Sequence, residues 1–122
     1  MITELVKELN KIFNNKVYPT NAPEGEKPPY LVYFFKEKEG KTLEGYDGLY
    51  TSNIVLNVMA KTFSEADIKS KNLKEMIKHL TDTKLGVFFI QEASLEETEV
   101  IYENQLKVYR GIVPSTIYFK ED

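Results

Sequence analysis

The chain has 122 residues, a formal charge of −3 and no cysteine. This length suits one domain, and we expect residues 1–122 to fold as a single unit. The lack of cysteine excludes disulfides, cysteine-based zinc sites and thiol catalysis. The acidic balance disfavours a protein that binds nucleic acid through its overall charge.

The N-terminal sequence lacks the pattern of a signal peptide, since no basic segment leads into a long apolar run. The longest apolar run, residues 30–35, is too short to cross a bilayer. We therefore expect a protein that is made and used in the cytoplasm and does not enter a membrane.

Residues 2–14 have the spacing of an amphipathic helix. Its apolar stripe follows the i, i+3, i+4, i+7 pattern and contains Ile2, Leu5, Val6, Leu9, Ile12 and Phe13. Asn14 and Asn15 are predicted to end the helix, because asparagine tolerates the left-handed conformation. The proline-rich residues 19–29 predict an extended loop without regular structure.

Residues 30–35 are apolar at every position, which predicts a strand covered on both faces. We expect a helix on one face and a neighbouring molecule on the other. Residues 36–48 then hold three glycines and alternating charges. We interpret them as a long, mobile hairpin arm without regular structure, which becomes ordered on a neighbour.

Residues 49–63 alternate as a strand does, with one face directed to a core. That face contains Ile54, Leu56, Val58 and Ala60. Ser64 is predicted to open a helix, with Asp67 in the second position of a capping box. The buried stripe of this helix is predicted to contain Ala66, Leu73, Met76, Ile77 and Leu80.

The remaining residues predict short strands and turns. We expect a turn over 81–86, a strand over 87–90, a loop over 94–98 and a hairpin around 103–105. The last strand runs to Phe119, and Pro114 predicts a sheet edge or a bulge there. The order of elements predicts an α+β fold, a mostly antiparallel β-sheet with two α-helices packed on it.

Motifs of catalysis are missing from the sequence. It has neither a phosphate-binding Gly-x-x-x-x-Gly-Lys nor a dinucleotide-binding Gly-x-Gly-x-x-Gly. The single histidine, His79, is expected to lie at a helix end, where a positive charge is favourable. We therefore predict a protein that is not an enzyme, with no catalytic, cofactor-binding or metal-binding residues and no cofactor.

Charge is unevenly distributed along the second half of the chain. Residues 61–84 contain six lysines and four acidic residues, whereas residues 85–106 contain five glutamates and no basic residue. These segments are either two complementary contact faces or ordinary solvated surface. The eight tyrosines likewise either pack in the sheet or belong to a contact surface.

The layout resembles the small tail-completion proteins of long-tailed phages, which are related to the tail terminators. The matching segments, beyond the opening helix, are Val17-Tyr18-Pro19, Ala22-Pro23, Pro28-Pro29-Tyr30-Leu31-Val32-Tyr33, the strand 52–60, the helix 66–80, Tyr109-Arg110-Gly111-Ile112 and Thr116-Ile117-Tyr118. The resemblance extends over nearly the whole chain and rests mostly on the spacing of prolines and aromatic residues.

This resemblance implies a structural virion assembly protein, a subunit of a hexameric homo-oligomeric ring at the head-proximal end of a phage or prophage tail. Such a ring stops growth of the tail tube and joins the tail to the head. Its partners would be sister copies, the tail tube protein and a head-completion or connector protein. DNA would pass through the ring without specific binding, and the protein would be located in the host cytoplasm during assembly and then in the virion tail.

The subunit and partner contacts are predicted to lie in the arm, on the second helix and in the acidic segment. The residues are Lys38, Leu43, Tyr46, Leu49, Tyr50, Ile68, Glu96 and Glu97. Three other functions stay open at this point: a head–tail connector or stopper ring, a small ligand-binding or regulatory α+β protein of a bacterium, and an enzyme. A ligand-binding protein should have a deep apolar pocket, and an enzyme should have titratable groups clustered in a cleft.

Overall fold

The computed structural model describes residues 1–42 and 45–121, and the side chains of all these residues except 40–47. In chain order the elements are α1 (Ile2–Ile12), β1 (Val17–Pro19), β2 (Tyr30–Thr42), β3 (Gly45–Ala60), α2 (Phe63–Lys78), β4 (Thr83–Leu85), β5 (Phe88–Leu95), β6 (Glu99–Glu103) and β7 (Val108–Glu121). The α+β prediction, with two helices and a mostly antiparallel sheet, is confirmed. In the described ranges, no helix has the length and apolar character needed to span a membrane.

The seven strands form one sheet in the order β1-β2-β3-β7-β5-β4, and β6 also pairs with β7. Only β1 and β2 run parallel, while the other pairs are antiparallel. β5 and β6 lie end to end along the same edge of β7, with Leu95 opposite Ser115 and Glu99 opposite Ile112. The long strands β3 and β7 therefore lie at the centre of the sheet.

Both helices pack on one face of the sheet, which we call the helix-covered face. Leu5 and Leu9 of α1 and Leu73 and Ile77 of α2 are fully buried in the same cluster. The sheet contributes alternate residues to it, as strand geometry requires, including Leu31, Ile54, Leu56, Val58, Ile90, Val113, Ile117 and Phe119. The stripes predicted for α2 and β3 are thus confirmed, and the stripe predicted for α1 is confirmed except at Ile12, which is 40% exposed.

The opposite face of the sheet, which we call the open face, is covered at one end only. A smaller buried cluster there contains Tyr30, Val32, Met59 and Val108, and Ala22 of the loop 19–29 packs on it. The prediction that residues 30–35 are covered on both faces is confirmed for residues 30–32 only, since Phe34 and Phe35 are 45% and 46% exposed. The second cover comes from the chain's own loop, which contains a cis peptide bond between Pro28 and Pro29, rather than from a neighbour.

The prediction of an arm without regular structure is wrong. β2 continues to Thr42 and β3 begins at Gly45, and the two strands pair along this length with a register irregularity between Glu39 and Lys41. Alternating lysine and glutamate fits a strand with both faces in water as well as it fits a loop. Leu43 lies outside the described residues.

α2 begins at Phe63, so the predicted N-cap at Ser64 is wrong by two residues. The N-cap is Thr62, whose Oγ1 accepts a hydrogen bond of 3.1 Å from the backbone N–H of Glu65. The Glu65 carboxylate accepts in turn from the backbone N–H of Lys61 at 3.4 Å. This reciprocal pairing is close to a capping box shifted along the chain from the predicted one.

The pairing of β7 shifts register by one residue beside Pro114, since Leu95 lies opposite Ser115 but Glu99 lies opposite Ile112, so a bulge-like irregularity is present as one of the two predicted alternatives. Pro114 itself lies in a central strand and not at an edge. It pairs with Val55 of β3 on one side. Its carbonyl accepts from the Glu96 N–H at 3.1 Å on the other side, at the junction between β5 and β6. The N and O of one residue point to the same side of a strand, so the missing N–H of proline faces the interruption between two partners, where a ladder bond is dispensable.

The segment 81–98 is more regular than predicted. Residues 83–85 of the expected turn form the short strand β4, which pairs with residues 88–90. β5 extends through Leu95 into the expected loop, because it pairs with β7 on its other side. The hairpin predicted around 103–105 is present and joins β6 to β7.

Candidate assembly surface

The open face presents apolar and polar side chains to solvent along the middle of the sheet. Val55, Ile112 and Pro114 are half-buried, and Phe34 beside Val55 is 45% exposed. Next to this apolar group, Thr116 Oγ1 donates a 2.9 Å hydrogen bond to Asn53 Oδ1. Neither of the two helices in the described residues covers this part of the open face.

The loop 19–29 is held against the open face by a polar cluster. The Tyr18 hydroxyl donates a hydrogen bond to the Glu26 carboxylate, and Lys16 Nζ lies 3.2 Å from Glu26 Oε1. The bond from Tyr18, followed by the bond from Lys16, holds the pKa of Glu26 below its ordinary value. The same bond to Glu26 raises the pKa of Tyr18. The cluster therefore favours a charged Glu26 and a neutral Tyr18.

A groove of about 490 Å³ lies between this loop, the open face and the β6–β7 turn. Tyr30, Val32 and Met59 form its buried floor, while Leu106 on the rim is 55% exposed. Arg110 is half-buried at its wall, with Nε 3.1 Å from Glu103 Oε1. The groove has an apolar floor and a mixed polar rim, which suits a protein side chain better than a small charged ligand.

A second groove, of about 650 Å³, lies between α1, α2 and β4. Leu5, Met76, Leu80 and Leu85 contribute apolar surface, and charged residues of both signs surround them. His79 is exposed at its rim as the C-cap of α2, with Nδ1 2.6 Å from the Glu75 carbonyl oxygen. Across residues 1–42 and 45–121, acidic and histidine side chains form no group of three or more suited to a metal ion.

The predicted contact residues of the β2–β3 hairpin differ in how far they are exposed. Lys38 is exposed on the open face of β2, opposite Thr51. Leu49 and Tyr50 are half-buried, and the Tyr50 ring stacks on Phe119 at 5.2 Å between centroids and packs against the main core. Tyr46 pairs with Lys41 through the backbone.

The other predicted contact residues are exposed but lie on separate surfaces. Ile68 is 55% exposed on α2. Glu96 and Glu97 are exposed between β5 and β6, on the opposite side of β7 from the β2–β3 hairpin. The predicted contact residues therefore do not form one site. They lie on the β2–β3 hairpin, on α2 and, on the opposite side of β7 from the hairpin, between β5 and β6.

Sequence reasoning missed the exposed apolar residues of β6. Ile101 and Tyr102 are 38% and 49% exposed, and Tyr102 contacts Tyr109 edge-to-face at 5.0 Å. The alternation in Glu99-Val100-Ile101-Tyr102-Glu103 signals a strand, but it does not signal that the strand lies at a sheet edge. That position follows only from pairing with β7.

The comparisons with known proteins show the fold. A protein from the virion of a native gene transfer agent particle has the same fold, with a TM-score of 0.69 over 92% of this chain and 84% of that one, at 11% identity. At this identity the likeness is one of architecture. The sequence matches no protein-family model and no curated protein.

Proposed function

We propose that this protein is a structural virion assembly protein. In this proposal it forms a ring at the head-proximal end of a phage or prophage tail, where the ring ends growth of the tail tube and joins tail to head. Its partners are sister copies, the tail tube protein and a head-side connector protein. The protein acts through binding surfaces and not as an enzyme.

The observation that carries the proposal is the shared fold with a protein of a gene transfer agent virion, which extends over 92% of this chain. The coverage is high for both chains, so the likeness extends over most of the fold rather than over a common supersecondary motif. A resemblance to tail-completion proteins in the arrangement of sequence motifs points to the same class independently of the fold.

The distribution of exposed residues also supports assembly. A cyclic ring requires two different complementary patches on each subunit, because each copy contacts its two neighbours through different surfaces. Exposed candidates lie on both sides of the sheet, with Phe34 and Lys38 on β2 and Ile101 and Tyr102 on β6. Exposed apolar side chains that adjoin one another on both of these strands fit a protein whose strand edges contact partners.

The test is to add the purified protein to polymerising tail tubes of the same phage or prophage and to image the tube ends by electron microscopy. We expect capped tubes of limited length, with a ring at one end, and native mass spectrometry should detect the ring on tubes or in solution. An unrelated acidic protein of similar mass serves as the control. Uncapped tubes of unchanged length, together with a monomeric protein, would refute the proposal.

The groove between α1, α2 and β4 favours one alternative, a small ligand-binding or regulatory protein. Its volume of about 650 Å³ is within the range of ligand pockets, about 300–1,000 Å³. Replacing Met76 with Glu would place a charge in this groove. If that change abolished binding of a ligand found by screening and left tube capping intact, the groove would have a function of its own.

A further inference from the structure

Among the described residues, the outer edge of β2 has a strand partner over a short part of its length. β1 pairs only with residues 31–33, and the Thr20 N–H donates to the Tyr33 carbonyl at 3.0 Å where this coverage ends. Beyond Tyr33, no other strand of the described chain lies along this edge. Phe34 and Phe35, the first residues of the uncovered part, are 45% and 46% exposed.

The outer edge of β6, which lies on the opposite side of β7 from β2, resembles the outer edge of β2 because it also presents exposed apolar residues. The inner edge of β6 pairs with residues 108–112 of β7. Its outer edge has no strand partner in residues 1–42 and 45–121, and it presents the exposed Ile101 and Tyr102. Uncovered edges with apolar side chains are templates for pairing with another chain, and monomeric proteins usually protect them.

The charges on these edges distinguish between the possible partners. On the open face, β2 carries Lys36 and Lys38, whereas β6 carries Glu99 and Glu103. Pairing β2 with β2 of another copy places lysine near lysine, and pairing β6 with β6 places glutamate near glutamate. Like charges across a strand pair are unfavourable and opposite charges are favourable, so the edges are complementary only when β2 meets β6.

The apolar residues agree with this choice. Phe34 and Ile101 both lie on the open face, and Phe35 lies on the same side of the sheet as Val100 and Tyr102. Joining β2 to β6 therefore covers exposed aromatic and aliphatic side chains on both faces at once. Such pairs across strands are the units that stabilise a sheet.

The topology determines the direction of pairing. The strands β2, β3, β7 and β6 are adjacent and successively antiparallel, so β2 and β6 run in opposite directions. A rotation about an axis along the strands brings β6 of one copy beside β2 of the next without reversing either strand. The contact is then antiparallel and heterologous, which is the type of contact that closes a ring.

We propose that the ring is closed by edge-to-edge pairing, in which β6 of each copy adds antiparallel to residues 34–39 of β2 in the next copy. Glu99 then lies opposite Lys38, since this register keeps the acidic and basic side chains on the same face and pairs residues 99–103 with 38–34, beyond the residues that β1 covers. The inference rests on the proposed function, because it needs a ring of sister copies. It adds which strands form the contact and in which direction.

Cysteine cross-linking tests this contact directly, because the natural chain has no cysteine. The variants are Lys36→Cys, Lys38→Cys and Glu99→Cys, with Ile68→Cys on the exposed surface of α2 as the matched control. Cα atoms opposite each other in antiparallel strands are about 4.5–5.5 Å apart, which disulfide geometry permits. Pairs of variants are mixed in equal amounts under assembly conditions, on tail tubes where needed, oxidised mildly and separated on non-reducing gels.

We expect a covalent dimer when Glu99→Cys is mixed with Lys38→Cys, and less of it when Glu99→Cys is mixed with Lys36→Cys, which lies one diagonal position away. Each of these variants alone, or mixed with Ile68→Cys, should give at least tenfold less. Rings that form without the β2–β6 cross-link, or with a β2–β2 cross-link instead, would overturn the edge-pairing inference and leave the proposed function standing. Monomers that neither assemble nor cap tubes would overturn both.

Charge reversal provides a second measurement that does not depend on cysteine geometry. Glu99→Lys should weaken each subunit contact by about two- to fivefold, the range expected for one cross-strand charge pair. The combined change of Lys36→Glu and Lys38→Glu in the same chain should restore assembly. Equal assembly of wild type and Glu99→Lys at low salt, with the fold intact by circular dichroism, would contradict the pairing.

Discussion

The two faces of the sheet differ in how far the chain's own elements bury their side chains. On the helix-covered face, Leu56, Val113 and Ile117 are fully buried by the chain's own helices. Their neighbours on the open face, Val55 and Ile112, are only half-buried. Adjacent residues of one strand thus differ in burial: one set packs against the helices and stabilises the domain, and the other set stays partly exposed.

Shortening adjacent residues of β3 gives the largest expected contrast between the faces. Leu56→Ala should lower the free energy of unfolding by about 2–5 kcal/mol, because a cavity remains beneath the helices. Val55→Ala, which removes two methyl groups from the half-exposed face, should cost about 1 kcal/mol or less. Urea denaturation followed by circular dichroism measures both. Equal losses would mean that the open face is as tightly packed as the other one.

The close approach of α2 to β7 predicts the next largest effect. A Cβ atom at Gly111 would lie 2.0 Å from Ser70 Oγ and 3.2 Å from the Ala66 carbonyl oxygen. Gly111→Ala should therefore destabilise the fold by about 1–3 kcal/mol through overpacking. Adding Ser70→Ala should recover part of this loss, since it removes the nearest atom. If the double variant is no more stable than Gly111→Ala, the clash is not with Ser70.

Removal of the N-cap of α2, which packs on the helix-covered face, should have a smaller effect on stability. Thr62→Ala should cost about 1 kcal/mol, because the Glu65 N–H loses its side-chain acceptor. Ser64→Ala is the matched control, since Ser64 is exposed two residues further on; it should change the unfolding free energy little. Thermal denaturation of both variants checks the assignment. A larger loss of stability for Ser64→Ala than for Thr62→Ala would mean that Ser64 is the N-cap.

The smallest effect concerns the loop on the open face and depends on pH. The pKa of Glu26 is depressed by hydrogen bonds from Tyr18 and Lys16, so its contribution to stability is present above the ordinary carboxyl pKa. This contribution is lost as pH falls through the depressed value. The melting temperatures of wild type and Glu26→Gln should therefore differ at neutral pH and converge in acid. Glu24→Gln, at an exposed position of the same loop, should show no such convergence.

Periodic segments of the chain were predictable because their pattern is local. The apolar spacing of residues 2–14 predicted α1, which the structure has at Ile2–Ile12. The alternation of residues 49–63 predicted which side of β3 faces the core, and Ile54 and Leu56 are buried there. In both segments the burial of each side chain follows from the geometry of its own element.

Features that depend on distant partners were not predictable. Pro114 was expected at an edge or a bulge, and the sequence could not decide between them: the structure has it in a central strand, beside a register shift where β7 changes from one partner to another. Tyr50 was expected to be a contact residue, and its ring packs on Phe119 from the other end of the chain. Local composition contains no information about either arrangement.

The candidate site was predictable only in part for the same reason. Exposed positions such as Lys38, Ile68 and Glu96 were identified from charge and helical spacing. The two uncovered strand edges were missed, because an edge is defined by the strand that is absent beside it. The exposed face of β6 is apparent only once β7 is paired.

Local patterns specify the α+β class, the amphipathic helices and the alternation of β3, since periodicity acts over a few residues. The strand order, the partners beside Pro114 and the two strand edges that are unpaired among the described residues depend on tertiary packing. Strand pairing joins residues far apart in the chain through backbone groups that every residue carries. Its outcome therefore depends on the packing of the whole domain and not on any one segment.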